Sequence, residues 1–252
     1  MTSASVALVT GGAKRIGRAI ACDLALQGWS VGVHFHHSAS EAETVVGEIT
    51  AAGGTATALG ADLADPTATE ALIGQTSAAL GPVTVLINNA SAFERDSVAD
   101  FPTERWDTHL DVNLRAPAIL TKAFVAGLPE GTEGNIINLI DQRVLNLTGE
   151  FLSYSISKVG LWGLTQMSAI ALAPRIRVNG IGPGPVLPSS RQSAEDFARQ
   201  SAATPLGHGA DPEEICDAVR YILGARSVTG QMIALDGGAH MTWNTDNAAP
   251  LE

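Results

Sequence analysis

The sequence predicts an α/β domain built on one doubly wound parallel β-sheet of about seven strands, with helices on both faces. Three observations carry this. Seven short runs rich in Val, Ile and Leu recur along the chain, too continuously apolar to keep one face wet, as strands covered on both sides are. Helical patterns separate them, and strict strand-helix alternation builds right-handed crossovers within one open sheet. No Pro- or Ser-rich linker, repeat or low-complexity tract interrupts the 252 residues, so 1–252 read as a single domain with no separate substrate domain.

In chain order the expected strands are Val6 to Thr10, Ser30 to Phe35, Thr55 to Gly60, Val83 to Asn88, Asn135 to Leu139, Arg177 to Ile181 and Met232 to Leu235. The helices between them are Ile16 to Gln27, Ser40 to Ala52, Pro66 to Leu80, Thr103 to Leu128, Tyr154 to Ala173 and Pro212 to Leu223. Several ends carry their own signals. Ser40 is placed to cap the second helix, and Gly28 and Gly53 follow helices where a left-handed residue is wanted. Pro66 and Pro212 each follow an Asp, as a proline at the first helical position would. The tail Asn244 to Glu252 is read as mobile. Gly at 26 with only 5% aromatic residues suggests tight turns and close helix-to-sheet approach rather than a core of rings.

Composition narrows the function. With 15 basic and 26 acidic residues the net charge is −11, which repels nucleic acid and anionic lipid. Cys22 and Cys216 form neither a disulfide framework nor a thiolate metal motif, which suits a reducing compartment. No apolar run reaches the roughly 18 residues of a membrane span, and the start MTSASVALVTGG has no secretory pattern. A cytoplasmic protein acting on a small molecule is expected.

The first chemical motif is Thr10-Gly11-Gly12-Ala13-Lys14-Arg15-Ile16-Gly17, between the first strand and first helix. Such a turn lets backbone N–H groups and the helix dipole meet a pyrophosphate, and Lys14 and Arg15 strengthen an anion site. The alternative is a tight turn that binds nothing. If a dinucleotide binds, its ribose lies at the end of the second strand, where an acid would select NAD. That place reads His34-Phe35-His36-His37-Ser38, so His36, His37 and Ser38 favour the 2′-phosphate of NADPH, and protonation of the two histidines is expected to tighten its binding. A hydrated strand end is the alternative; no third ligand completes a metal site, and none is expected. Asp62 either accepts from the adenine amine or caps the next helix.

Tyr154 and Lys158 lie one turn apart on one helix face, where an ammonium near a phenol lowers its pKa. Alone, the pair is as ordinary as any surface pair. Together with Gly11, the run Asn88-Asn89-Ala90-Ser91, Asn113, and Pro183-Gly184, however, it makes the chain resemble a short-chain dehydrogenase/reductase over about residues 5 to 240, a Rossmann-like fold. The resemblance implies that Tyr154 exchanges a proton with substrate, Lys158 holds the nicotinamide ribose, and Asn113 supports a relay water. It places the cofactor against Gly11, Lys14, Arg15, Ile16, Gly17, Asp62, Leu63, Asn89, Ala90, Pro183, Gly184 and Val186, and implies a homo-oligomer, with a tetramer favoured. Leu161 to Ala173 is apolar enough to face a partner.

Two departures are more informative than the matches. Arg15 replaces the middle glycine of the family's TGxxxGxG turn, and Asp141 replaces the serine thirteen residues before the tyrosine. Both resemble the pteridine reductase branch, as does Phe93, which there stacks on the pterin. The substrate would then touch Arg15, Ser91, Phe93, Asp141 and Tyr154, with hydride from nicotinamide C4 and a proton from Tyr154 and Asp141. Loop packing of Phe93 and a salt bridge from Asp141 to Arg143 are the structural alternatives. Gln142 and Arg143 are more polar than that branch leads one to expect, and His37 stands where an arginine is frequent. The expected activity is NADPH-dependent reduction of a dihydropteridine of the dihydrobiopterin, dihydromonapterin or dihydrofolate type. A ketone or 3-oxoacyl thioester reductase and a non-catalytic NADPH sensor are the alternatives.

Overall fold

All seven expected strands are present in the computed structural model, which describes residues 5–189 and 191–242; the tail lies outside them. They are β1 (Val6–Val9), β2 (Ser30–Phe35), β3 (Thr55–Gly60), β4 (Val83–Asn88), β5 (Gly134–Leu139), β6 (Ile176–Pro183) and β7 (Met232–Leu235). They pair in parallel in the order β3-β2-β1-β4-β5-β6-β7. The order reverses between β1 and β4, where connections leave toward opposite faces and the strand ends open a crevice. The central strands are buried along their length, whereas β3 at the edge is only half covered.

The helices are α1 (Arg15–Leu26), α2 (Ala39–Ala51), α3 (Pro66–Leu80), α4 (Thr103–Leu110), α5 (Ala116–Gly127), α6 (Leu152–Leu172), α7 (Ala194–Ala202) and α8 (Pro212–Gly224). One core packs Ile20, Leu24, Val45, Ile215 and Ile222 of α1, α2 and α8 on the sheet. The other packs Leu72, Leu120, Phe124 and Ala169 of α3, α5 and α6 on the opposite face. Burying a side chain of this size contributes about 1.5–3 kcal/mol.

Caps follow the sequence signals with one exception. Asp65 accepts from Thr67 and Ala68 N–H, and Asp211 forms a reciprocal box with Glu214, each ahead of a proline. Gly28 and Gly53 have φ of +87° and +86°. Ser40, however, lies inside α2, whose cap position falls to Ser38. Ser38 and Glu41 have the spacing of a capping box, but Glu41 turns outward to Lys14 at 2.6 Å.

Two further corrections bear on the site. The expected helix Thr103 to Leu128 is α4 and α5 joined by a π-helical turn, Asp111–Arg115, in which Ala116 N–H reaches back to the Asp111 carbonyl. Pro117 supplies the reason: it has no N–H to give the carbonyl of Asn113, four residues earlier, and the ladder slips there by one residue. The second is α7, which sequence periodicity did not reveal because none of its residues is buried, although Ser193 caps it by accepting from Asp196 N–H. Among the described residues no helix is long and apolar enough to cross a membrane.

Candidate active site

The crevice between the C-terminal ends of β1 and β4 widens into a cleft of about 780 Å³. The two strand ends are laced together. Thr10 Oγ1 accepts from Asn89 and Ala90 N–H at 2.9 and 3.0 Å, and Asn89 Nδ2 donates to the Thr10 and Gly11 carbonyls at 2.8 and 3.2 Å. A Cβ at Gly17 would come within 2.1 Å of the Gly11 carbonyl oxygen, so the turn closes only on glycine. No side chain caps α1 and no acid occupies its first turn, which leaves the helix N-terminus facing the cleft suited to an anion.

Arg15 is the unusual member of this turn. Its φ of +53° lies in the left-handed region, where a non-glycine residue costs roughly 1–2 kcal/mol. The glycine that the family prefers here would avoid that cost. Its guanidinium instead donates to the Pro188 and Leu187 carbonyls at 2.7 and 3.1 Å, fastening the segment after β6 across the cleft. Lys14 and Ile16 line the same end.

The histidines divide in role. His34 is 2% exposed; its Nδ1 accepts from Gly11 N–H and its Nε2 meets the Ala61 carbonyl, each at 3.1 Å. Burial pushes its pKa down to about 4, so it is a neutral splint for the turn and adds no charge to the site. His36 and His37 are exposed with ring centres 3.5 Å apart, and His36 Nε2 lies 3.8 Å from Asp62 Oδ2. Asp62 and the buried Leu63 line the cleft, while Oδ1 of Asp62 accepts from Ala64 N–H at 2.9 Å. Helix capping belongs to Asp65. His37 and Ser38 do not line the cleft itself, and Ser38 stands at the start of α2.

At the other end, β5 delivers Asp141 and the start of α6 delivers Tyr154 and Lys158. The helix begins at Leu152, earlier than expected, so Tyr154 stands in its first turn. Tyr154 Oη donates to Asp141 Oδ2 at 2.7 Å, and Asp141 Oδ1 accepts from Arg143 N–H at 2.8 Å. Asp141 thus meets Arg143 through the backbone, while the Arg143 guanidinium lies 4.7 Å from the Phe151 ring centre. Lys158 Nζ donates to the Leu139 carbonyl at 2.9 Å and stands 5.7 Å from the Tyr154 ring centre. Burial pushes its pKa down to about 8, partly opposed by Asp141.

Phe93 stacks on Phe151 at 4.8 Å and meets Tyr154 edge-on at 4.7 Å, so the ring both packs the loop and lines the cleft. Ser91, Ala90, Pro183, Gly184 and Val186 complete the wall. Asn113 anchors the loop that follows β4. Fully buried, its side chain takes the Ala92 N–H and carbonyl and Ser157 Oγ at 2.7 to 3.0 Å, so it holds the loop and does not line the cleft. Residues the motifs did not single out also line it: Leu187, Ser189 and Gln200. Leu187 and Ser189 lie in the segment after β6 and Gln200 in α7, which carried no periodic signal. Gln142 and Arg143 line it as well, and their polarity was the one available hint.

The family model of the short chain dehydrogenases matches residues 5–198, and the chain belongs to that family. Solved structures similar to it include FolM alternative dihydrofolate reductase 1 of Brucella canis with NADP, at 46% identity over 99% of each chain and a TM-score of 0.94. The Brucella suis protein of that name, also with NADP, covers 99% of this chain and all but matches those values at 46% identity and a TM-score of 0.94. The 3-oxoacyl-[acyl-carrier-protein] reductase FabG of Staphylococcus aureus is 32% identical over 242 residues, 93% of this chain and 98% of its own.

Proposed function

We propose that this short-chain reductase uses NADPH to reduce a dihydropteridine of the dihydrobiopterin, dihydromonapterin or dihydrofolate type. The observation that carries the reading is the Asp141 carboxylate bonded directly to the Tyr154 hydroxyl. A ketone reductase needs neutral donors toward one developing alkoxide, which a carboxylate would oppose. A dihydropteridine needs a proton at a ring nitrogen and offers an amino-pyrimidine edge whose donors a carboxylate accepts. The similar FolM structures support the same class and cofactor.

The residues present fit the cofactor. The uncapped N-terminus of α1, Lys14 and the turn at Gly11 and Gly17 would hold the pyrophosphate, His36, His37 and Ser38 the 2′-phosphate, and Lys158 the nicotinamide ribose. When bound, NADPH supplies a hydride. Tyr154 gives its hydroxyl proton to the substrate nitrogen, and the adjacent Lys158 ammonium stabilises the phenolate left behind. Asp141, an acceptor in both of its hydrogen bonds, orients the Tyr154 hydroxyl and then the substrate's amino edge. This assigns proton donation to Tyr154 and makes Asp141 the aligning acceptor. Arg15 holds the cleft's covering segment. Met167 and Ile170, 72% and 83% exposed on α6, are assigned to contact with further copies of the chain in a homotetramer.

NADPH oxidation measured with dihydrobiopterin, dihydromonapterin, dihydrofolate and an acetoacetyl thioester tests this reading. Turnover of at least one dihydropteridine above the thioester is expected; turnover of the thioester alone would sink it and favour the activity named for the FabG relative. Arg15→Gly keeps the left-handed backbone but releases two carbonyls. It is expected to raise the KM for NADPH about tenfold and to speed proteolysis near Leu187, as the loss of charge-assisted bonds implies.

A further inference from the structure

The loop from Ser91 to Ser97, between β4 and α4, has no regular structure beyond isolated bridges at Ser97, so its backbone groups need partners from elsewhere. Those of Ala92 and Glu94 are met by side chains of α4 and the π-helical turn, and Asp96 is held through its carboxylate. Asn113 takes both backbone groups of Ala92. One turn earlier, His109 Nε2 accepts from Glu94 N–H at 3.1 Å. Ser153, in the first turn of α6, gives its N–H to Asp96 Oδ1 at 3.2 Å and its hydroxyl to Asp96 Oδ2. His109 Nδ1, 2.6 Å from Ser153 Oγ, closes the chain.

One donor fixes the direction of every bond in it. The Glu94 amide can only donate, so Nε2 is the bare nitrogen of His109 and Nδ1 carries the proton. That proton goes to Ser153 Oγ, which passes its own to Asp96. His109 and Ser153 are wholly buried and Asp96 is 4% exposed. None of the three lines the cleft. Burying a carboxylate and an imidazole costs far more than apolar residues would unless each is fully hydrogen-bonded. The chain that satisfies them also spans the pieces of the substrate wall. Phe93 lies between the pins at residues 92 and 94, its stacking partner Phe151 precedes Ser153 by two residues, and Tyr154 follows it.

We propose that Asp96, Ser153 and His109 are positioning residues for the substrate wall, holding the Phe93 ring in its edge-on contact with Tyr154 so that both face the bound substrate in fixed register. They act through Phe93 and Tyr154 and leave the cofactor end untouched. The inference rests on the dihydropteridine reading only for the identity of that substrate.

The test uses His109→Asn, His109→Gln and Ser153→Ala, with KM and kcat measured for dihydrobiopterin and for NADPH. Asn sets an amide nitrogen where Nδ1 donates but loses the bond to Glu94; Gln sets its carbonyl oxygen where Nε2 accepts. Ser153→Ala and His109→Asn are expected to raise the dihydrobiopterin KM about tenfold, with kcat and the NADPH KM changing less than about threefold, and His109→Gln to restore most of the loss. An unchanged dihydrobiopterin KM, an equal rise in the NADPH KM, or a Gln variant no better than Asn overturns the proposal. Should Ser153→Ala fail to fold, Asp96→Asn, which keeps the volume, takes its place. If the wild type turns over only the acetoacetyl thioester, the dihydropteridine reading has failed, and the same comparison made with the thioester still decides this one.

Discussion

Asp141→Ser is expected to lower kcat/KM for a dihydropteridine by roughly 10²-fold or more while leaving NADPH binding and the melting temperature close to wild type. Serine restores the hydroxyl that most of the family carries, so the change probes chemistry with little cost in packing. It removes the acceptor for the Tyr154 hydroxyl and for the substrate's amino edge, and also the cap on Arg143 N–H, which a serine oxygen can replace. The same variant is expected to gain, relative to wild type, on an acetoacetyl thioester, because a neutral donor then faces the developing alkoxide. Equal rates on dihydropteridine before and after the change would return Asp141 to a purely structural role.

Lys158→Met is expected to lower kcat by about 10³-fold, since it removes both the ribose anchor and the charge that stabilises the Tyr154 phenolate. Its effect on stability runs the other way. Burial places the lysine near pKa 8 in the folded chain, below the ordinary value of 10.5. Between those values the unfolded chain binds the extra proton, so this group's contribution to stability rises with pH across that window and is least favourable below about pH 8. The full difference corresponds to about 3 kcal/mol at most. Methionine has no proton to lose, so the variant should be the more stable at pH 7 and the advantage should shrink toward pH 10. Paired urea melts of the two proteins at pH 7 and 9.5 read this directly; a constant gap between them would contradict it. In the wild type, kcat/KM should fall above about pH 8 as the ammonium is lost.

Much of this was legible in the residues because their signals are local. The strand runs are apolar on both faces, and Asp65-Pro66 and Asp211-Pro212 carry helix starts within two or three residues. Tyr154 and Lys158 share a face by spacing alone, and Asp141 and Arg15 stood out as departures from a pattern. What escaped depends on contacts far apart in sequence. The break at Asn113 is signalled by Pro117, but that a π-helical turn would bury the asparagine against Ala92 follows only from the loop that meets it. His34 sits in the same histidine-rich run as His36 and His37, yet 23 residues away Gly11 offers it an amide, and the splint that results takes it out of the charge count. The chain from Glu94 through His109 and Ser153 to Asp96 joins three segments, none of which is distinctive alone.

The central claim is that hydride goes to a carbon beside the ring nitrogen that Tyr154 protonates under the guidance of Asp141. Incubating the wild-type protein with NADPH deuterated at nicotinamide C4 on the transferred face, together with a mixture of dihydrobiopterin and the acetoacetyl thioester, measures it most directly. Mass and NMR spectra of the products should show one deuterium in the tetrahydropteridine, on the carbon adjacent to the protonated nitrogen. Deuterium found only in the hydroxyacyl thioester, with the dihydropteridine returned unlabelled, would contradict the account.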